Sequence, residues 1–171
     1  MIKIYFIFQL FNTNDIHGSF YPKKILLPSG KTYSICGLEY LGKYASIMSE
    51  EWKNRILYFD TGDQFQSGIE GYISQGQIIM VFFNELEVQK FVIGSHEFDY
   101  GLDFLRDYMN LSNFDWVIDN IKNKTTGKYI TSPYQKRSAI INIEGYKLGL
   151  IGLTTVESPT STNIEITYLK N

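Results

Sequence analysis

Three short stretches of this sequence gather side chains that can ligate a metal ion or move a proton: Asn14-Asp15-Ile16-His17-Gly18, Asp60-Thr61-Gly62-Asp63-Gln64, and Gly94-Ser95-His96-Glu97-Phe98-Asp99-Tyr100-Gly101. Asp15 and His17 stand two apart. In an extended segment such residues point the same way, so a carboxylate oxygen and an imidazole nitrogen can meet one cation. A carboxylate such as Asp63 has two oxygens and can bridge two ions about 3.5–4 Å apart, as two-metal hydrolases require. Nitrogen and oxygen ligands without sulfur suit zinc, manganese, iron or cobalt. Cys36 is the only cysteine, which excludes an internal disulfide and a thiolate cluster. Gly18, Gly62 and Gly94 permit tight turns and close backbone approach where a loop folds over a site. Each stretch also has an ordinary structural reading: Asp15 as a cap or turn residue, His17 as an exposed loop histidine, Gly62-Asp63 as a plain turn. Their common position favours function, because each directly follows an apolar run and both histidines of the chain fall among them.

The elements that must carry these loops are short apolar runs rich in β-branched and aromatic residues, at 4–11, 56–60, 88–93 and 114–118. Between them Leu38, Leu41, Ala45, Met48 and Trp52 recur at helical spacing, as do Leu102, Leu105 and Met109; Ile73, Ile78, Val81, Phe82 and Leu86 do so less regularly. Toward the end, residues 138–143, the pair Glu144-Gly145 and residues 146–153 predict a hairpin closed by a two-residue turn. Alternating strands and helices with a terminal hairpin predict an α/β domain with a mixed sheet. Ligand chemistry is then expected in loops beyond the carboxyl ends of the strands.

Composition narrows the function class. The chain has 171 residues and 44% apolar content, enough for one domain or part of one with a sizeable core. Its 16 basic and 18 acidic side chains leave a net charge of −2 and no basic stripe, which disfavours a nucleic-acid polymer as partner. The aromatic residues, 13 Tyr and 12 Phe among them, are spread without a repeat and suit a core rather than a stacking platform. The apolar start is far short of the ~20 residues that span a bilayer as a helix and has no small-residue cleavage site after it, so it reads as a first strand. No transmembrane segment is expected.

The set D-x-H, then G-D, then G-N-H-[DE], on successive strand ends, is the signature of calcineurin-like metallophosphoesterases. This chain resembles their 5'-nucleotidase branch, through Thr13-Asn-Asp-Ile-His-Gly18, Gly37-Leu38, Thr61-Gly-Asp-Gln-Phe-Gln66, His96-Glu-Phe-Asp-Tyr-Gly101 and Gly149-Leu-Ile-Gly-Leu-Thr-Thr155. The resemblance covers nearly the whole chain. It implies an α/β/β/α sandwich with mixed sheets, two divalent metal ions, and in-line attack of an activated water on the phosphorus of a nucleotide or related phosphoester. It further implies that Asp15 and His17 bind the first ion, Asp63 bridges, and position 95 binds the second. His96 and Asp99 would form the catalytic pair, His96 stabilising the phosphate or leaving group and Asp99 fixing its tautomer. Asp99 can also be an N-cap for the helix at Leu102.

The sequence departs from that pattern. Ser95 stands where the family has Asn, and a hydroxyl is a poorer neutral ligand than an amide carbonyl. Asn12 replaces the usual first histidine of the H-T-N-D wording. The family takes further histidines from loops well downstream and clamps the base with a C-terminal domain, whereas these residues include only His17 and His96. Residues 1–171 are therefore expected to be an N-terminal portion of a metallophosphoesterase domain, weakly active or inactive alone. The alternative is a noncatalytic remnant or a nucleotide- or metal-binding module of the same fold. A flavodoxin-like binding domain is disfavoured, because it needs a phosphate-cradling glycine loop where Asp15 presents acid. Relatives in the family are often secreted, periplasmic or on the cell surface, but no signal peptide is recognisable and the compartment stays open, as do protein partners.

Overall fold

The computed structural model describes residues 6–35, 37–66, 68–155 and 166–168. A five-stranded parallel sheet lies at its centre, in the order β1 (Gln9–Thr13), β4 (Ile56–Asp60), β5 (Lys90–Val92), β6 (Asp115–Val117) and β8 (Gln135–Lys136). The first apolar run pairs from Gln9, opposite Ile56, and runs on to Thr13, opposite Asp60. The part of the expected first strand at residues 4 and 5 lies outside the described residues.

The two faces of β4 separate the layers. Tyr58 joins the large core formed with helices α1 (Leu38–Trp52), α3 (Gln77–Glu85) and α4 (Leu102–Leu111). Leu57 and Phe59, alternating with it, pack on Ile141, Ile143, Leu148 and Leu150 of the hairpin β9 (Ser138–Ile143) and β10 (Tyr146–Ile151). Parallel and antiparallel pairing are thus divided between stacked layers. The hairpin turn is the expected Glu144-Gly145, both at positive φ (46° and 87°), as a two-residue turn between right-twisted strands requires. Gly152 seals the end of β10 against β6, where a Cβ would stand 2.0 Å from the Val117 carbonyl oxygen.

Helix α1 opens after Gly37, as the sequence suggests. The irregular apolar spacing from Ile73 to Leu86 reflects two helices, α2 (Ile69–Ile73) and α3, separated by Gln75 and Gly76 at positive φ. Beneath the site, Trp116 is fully buried against Phe91, with ring centroids 4.4 Å apart, and donates its indole N–H to Ser112 Oγ at 2.8 Å. Phe65, also fully buried, roots the loop after β4 in this aromatic cluster. A hairpin of β2 (Lys23–Leu26) and β3 (Thr32–Ile35) and a pair of β7 (Ile121–Asn123) with β11 (Ile166–Tyr168) complete the described strands. No helix among the described residues is long and apolar enough to cross a membrane.

Candidate metal centre

The loops after β1, β4 and β5 meet at the carboxyl end of the parallel sheet, and backbone bonds lock the first two together. Thr61 N donates to Thr13 O at 2.9 Å, Asp15 N to Gly62 O at 3.0 Å, and His17 N to Asp63 O at 3.3 Å. Asp15, His17 and Asp63 all take left-handed backbone conformations, with φ of 53°, 50° and 58°. The expectation that Asp15 and His17 share a direction because the segment is extended is corrected here: both lie in αL, a region where Asp and His are enriched among non-glycine residues but still uncommon. Such outliers concentrate at functional sites.

The second and third loops touch backbone to backbone. A Cβ on Gly62, which has φ 92°, would stand 2.2 Å from Gly94 N, and one on Gly94 would stand 2.4 Å from Asp63 Oδ1. Two carboxylates then tie these loops in opposite senses. Asp63 Oδ1 accepts His96 N at 2.8 Å and Ser95 Oγ at 3.1 Å. Glu97, buried, accepts Asp63 N at 2.9 Å, Gln64 N at 2.7 Å and Gly94 N at 2.7 Å. Burial pushes the Glu97 carboxyl up to about 7 against the opposing pull of those N–H donors. Asp60, also buried, is held well above the ordinary carboxylate range by desolvation while accepting Thr13 Oγ1 at 2.6 Å and Gly62 N at 2.9 Å.

On this frame His17, Asp63 and His96 each offer a donor atom, and the three atoms lie within 4.8 Å of one another. The imidazole centroids are 5.1 Å apart, edge to face. His96 Nδ1 meets Asp99 Oδ2 at 2.8 Å. The expected N-cap role of Asp99 is corrected: Gly101 is the N-cap of α4 and no side chain caps it. Asp15 Oδ1 lies 3.5 Å from His17 Nε2, beside the group of three. The Ser95 hydroxyl is turned onto the Asp63 carboxylate. The donor set, imidazole nitrogen and carboxylate oxygen without thiolate, fits a divalent transition metal. Sequence reasoning did not single out Glu97 or Asp60. Their signal was an acid directly flanked by apolar or motif residues, as in His96-Glu97-Phe98 and Tyr58-Phe59-Asp60. A cleft of about 580 Å³ opens next to the centre, lined among others by Asp15, Lys23, Tyr21, Tyr40 and Tyr44.

No protein-family model matches the chain. Over 157 residues, 90% of this chain, it is 32% identical to the snake venom 5'-nucleotidase of Crotalus adamanteus. The chain belongs to the 5'-nucleotidase family. It also superposes on the solved 5'-nucleotidase precursor of Thermus thermophilus, with TM-score 0.83 and 25% identity over 95% of its length. A calcineurin-like phosphoesterase of Bacillus subtilis shares the fold, at TM-score 0.66 and 22% identity, with 94% of this chain and 53% of that one covered. The predicted α/β fold of the calcineurin-like metallophosphoesterases is therefore present. The chain spans 26% of the Crotalus protein and 32% of the Thermus structure.

Proposed function

We propose that these residues form part of the catalytic site of a metal-dependent phosphoester hydrolase of 5'-nucleotidase type, acting on nucleotide phosphomonoesters or related esters. The observation that carries the reading is the convergence of His17, Asp63 and His96 from three strand-end loops. Divalent metal, when bound, supplies Lewis-acid polarisation of the phosphoryl group and lowers the pKa of water.

The protein's own contribution is positioning. Asp15, His17 and Asp63 are the ligands this family reading selects, with Ser95 as a weak fourth. His96 would place an N–H at the phosphate or leaving oxygen, and Asp99 would hold its ring. The neighbouring cleft has the size of small-molecule sites and supports a nucleotide-sized substrate.

A second reading, a noncatalytic metal- or nucleotide-binding remnant, is favoured by one observation. The Ser95 hydroxyl spends its proton on Asp63 Oδ1, an oxygen that bridging two ions would need. Hydrolysis of AMP with manganese or zinc, by residues 1–171 and by the same residues fused to the following part of a related 5'-nucleotidase domain, separates the two. Metal-dependent turnover in the fusion that is lost in Asp63→Ala supports the enzyme; a folded, metal-loaded fusion without turnover supports the remnant.

A further inference from the structure

Between Asp15 and Glu39 the chain has no acidic residue, while Lys23, Lys24 and Lys31 all fall there, so a basic stretch sits in a chain of net charge −2. This stretch contains the β2–β3 hairpin. The base of the hairpin is fixed. Leu38 N donates to Phe20 O at 3.0 Å, and a Cβ on Gly37, which has φ 98°, would stand 2.7 Å from Pro22 N, so the two ends close against each other where Phe20 packs on the core. Beyond that base every residue from 23 to 35 is exposed, on both faces of the ladder. Three paired steps carry the turn roughly 10 Å from the base. There Leu27 N donates to Lys31 O at 2.8 Å and Gly30 N to Leu27 O at 2.9 Å, which closes the turn on itself.

The arm is apolar where a solvated hairpin would be polar. Ile25 and Tyr33 are directly opposed, Leu26 is 70% exposed, and Leu27 and Ile35 also face solvent. A two-stranded hairpin is marginal in water by itself, and a contiguous exposed apolar surface marks a docking site. Among the described residues none of the three lysines is ion-paired. Their charge selects the occupant. Protein interfaces are depleted in lysine, whereas here Lys24 and Lys31 flank Leu26 and Leu27. A soluble polyanion would pair the lysines and leave the leucines in water. An anionic bilayer accommodates both, with the leucines among the acyl chains, the lysines at the headgroups, and Tyr33 at the boundary that tyrosine favours.

We infer that the β2–β3 hairpin is a peripheral membrane-docking arm, which inserts Leu26 and Leu27 into a bilayer carrying anionic lipid and sets Lys23, Lys24 and Lys31 on the headgroups. The contact is reversible, because a short apolar tip with three lysines falls far below the ~20 apolar residues of a spanning helix. The arm leaves the loop that carries Asp15 and His17 and returns to the start of α1, so docking brings the carboxyl end of the parallel sheet to the bilayer surface. The inference rests on the hairpin alone and is independent of metal binding and of hydrolysis.

In vesicle flotation the whole 171-residue chain should bind mixed phosphatidylcholine–phosphatidylserine vesicles and not phosphatidylcholine alone, and added salt should weaken the binding. Lys23→Gln, Lys24→Gln and Lys31→Gln should each weaken it ~5-fold, and the triple variant ~100-fold. Leu26→Ser combined with Leu27→Ser, which keeps the charge, should weaken it at least ~10-fold. All five side chains are exposed, so thermal melts of these variants should match the unaltered protein. Amide hydrogen exchange of residues 23–35 in the unaltered chain should slow when mixed vesicles are added, a reading that needs no substitution. No binding, equal binding to both vesicle types, or binding indifferent to the leucine pair would overturn the proposal. Three further results would overturn it in favour of another occupant. Heparin bound as tightly as the vesicles, whatever stands at 26 and 27, would identify a soluble polyanion; a dimer in sedimentation that the leucine substitutions dissolve would identify a second copy; and loss of vesicle binding on fusion to the following part of a related 5'-nucleotidase would show that protein covers the arm.

Discussion

Asp63 and Glu97 face each other across two loops, each carboxylate accepting amide protons from the other's loop. The left-handed backbone at Asp63 is held by this reciprocal clamp, since its own N–H is committed to Glu97. Glu97→Ala should leave the buried amide of Gln64 and the half-buried amides of Asp63 and Gly94 without their acceptor, at roughly 1–3 kcal/mol for each that finds no water. A loss of about 3 kcal/mol in chemical denaturation is expected, with metal affinity falling because Asp63 is released. Unchanged metal affinity in a folded Glu97→Ala protein would show that the clamp does not position the ligand. Glu97 was not legible in the sequence as more than a motif letter. An acid next to a histidine in a loop reads as solvated, and only the short helical turn over His96–Phe98 brings it inward. The strand-end placement of Asp15, His17, Asp63, His96 and Asp99 was legible, because their stretches directly follow apolar runs and both histidines of the chain fall among them. The conformation that joins the first two was not, since left-handed φ at Asp and His leaves no periodic trace.

At the scale of elements, the end of the sheet opposite the site is tied separately. Lys90, the first residue of β5, and Lys136 of β8 each place Nζ 2.8 Å from an Asp115 carboxylate oxygen at the start of β6. Partial burial works to raise the Asp115 pKa, but the hydrogen bonds from Lys136 and Lys90 outweigh it and hold the carboxyl below its ordinary value. A carboxyl lowered in the folded state adds stability that is complete above its unfolded pKa of about 4 and is lost as pH falls through the folded value. Asp115→Asn should therefore cost about 1–2 kcal/mol at pH 7, and the difference from the unaltered protein should shrink below about pH 4. Thermal melts across pH check this, and metal affinity should not change. The elements that the sequence made legible were those with strong pattern: α1, β4, α4 and the β9–β10 hairpin. The β2–β3 hairpin was missed because both strands are exposed throughout and carry no alternation. Strands β7 and β8 are three and two residues long, too short for any period to show.

At the scale of the whole molecule, several apolar side chains stand in solvent next to the site and on the hairpin layer: Ile69 and Ile73 at 75% exposure, Tyr72 at 74%, Ile140 at 70% and Ile151 at 65%. Helix α2, which carries the first three, abuts the loop after β1, with the Cβ position of Gly71 lying 3.6 Å from Gly18 Cα. Relatives that are three to four times longer have further chain to set against such faces. Residues 1–171 alone should show little or no AMP hydrolysis, since a two-metal mechanism needs both the attacking and the leaving oxygen held. Ser95→Asn should tighten metal binding without a large gain in rate: it restores a carbonyl donor and removes one of the two hydrogen bonds on Asp63 Oδ1, but adds no imidazole. Fusion to the following, histidine-bearing part of a related domain should restore turnover. In that fusion His96→Ala should lower the rate by ~10²–10⁴-fold while leaving metal occupancy largely intact, because His96 acts on the phosphate or leaving oxygen and not on the ion. Robust hydrolysis by residues 1–171 without any partner, abolished by Asp15→Ala or Asp63→Ala, would show that the two histidines present here suffice.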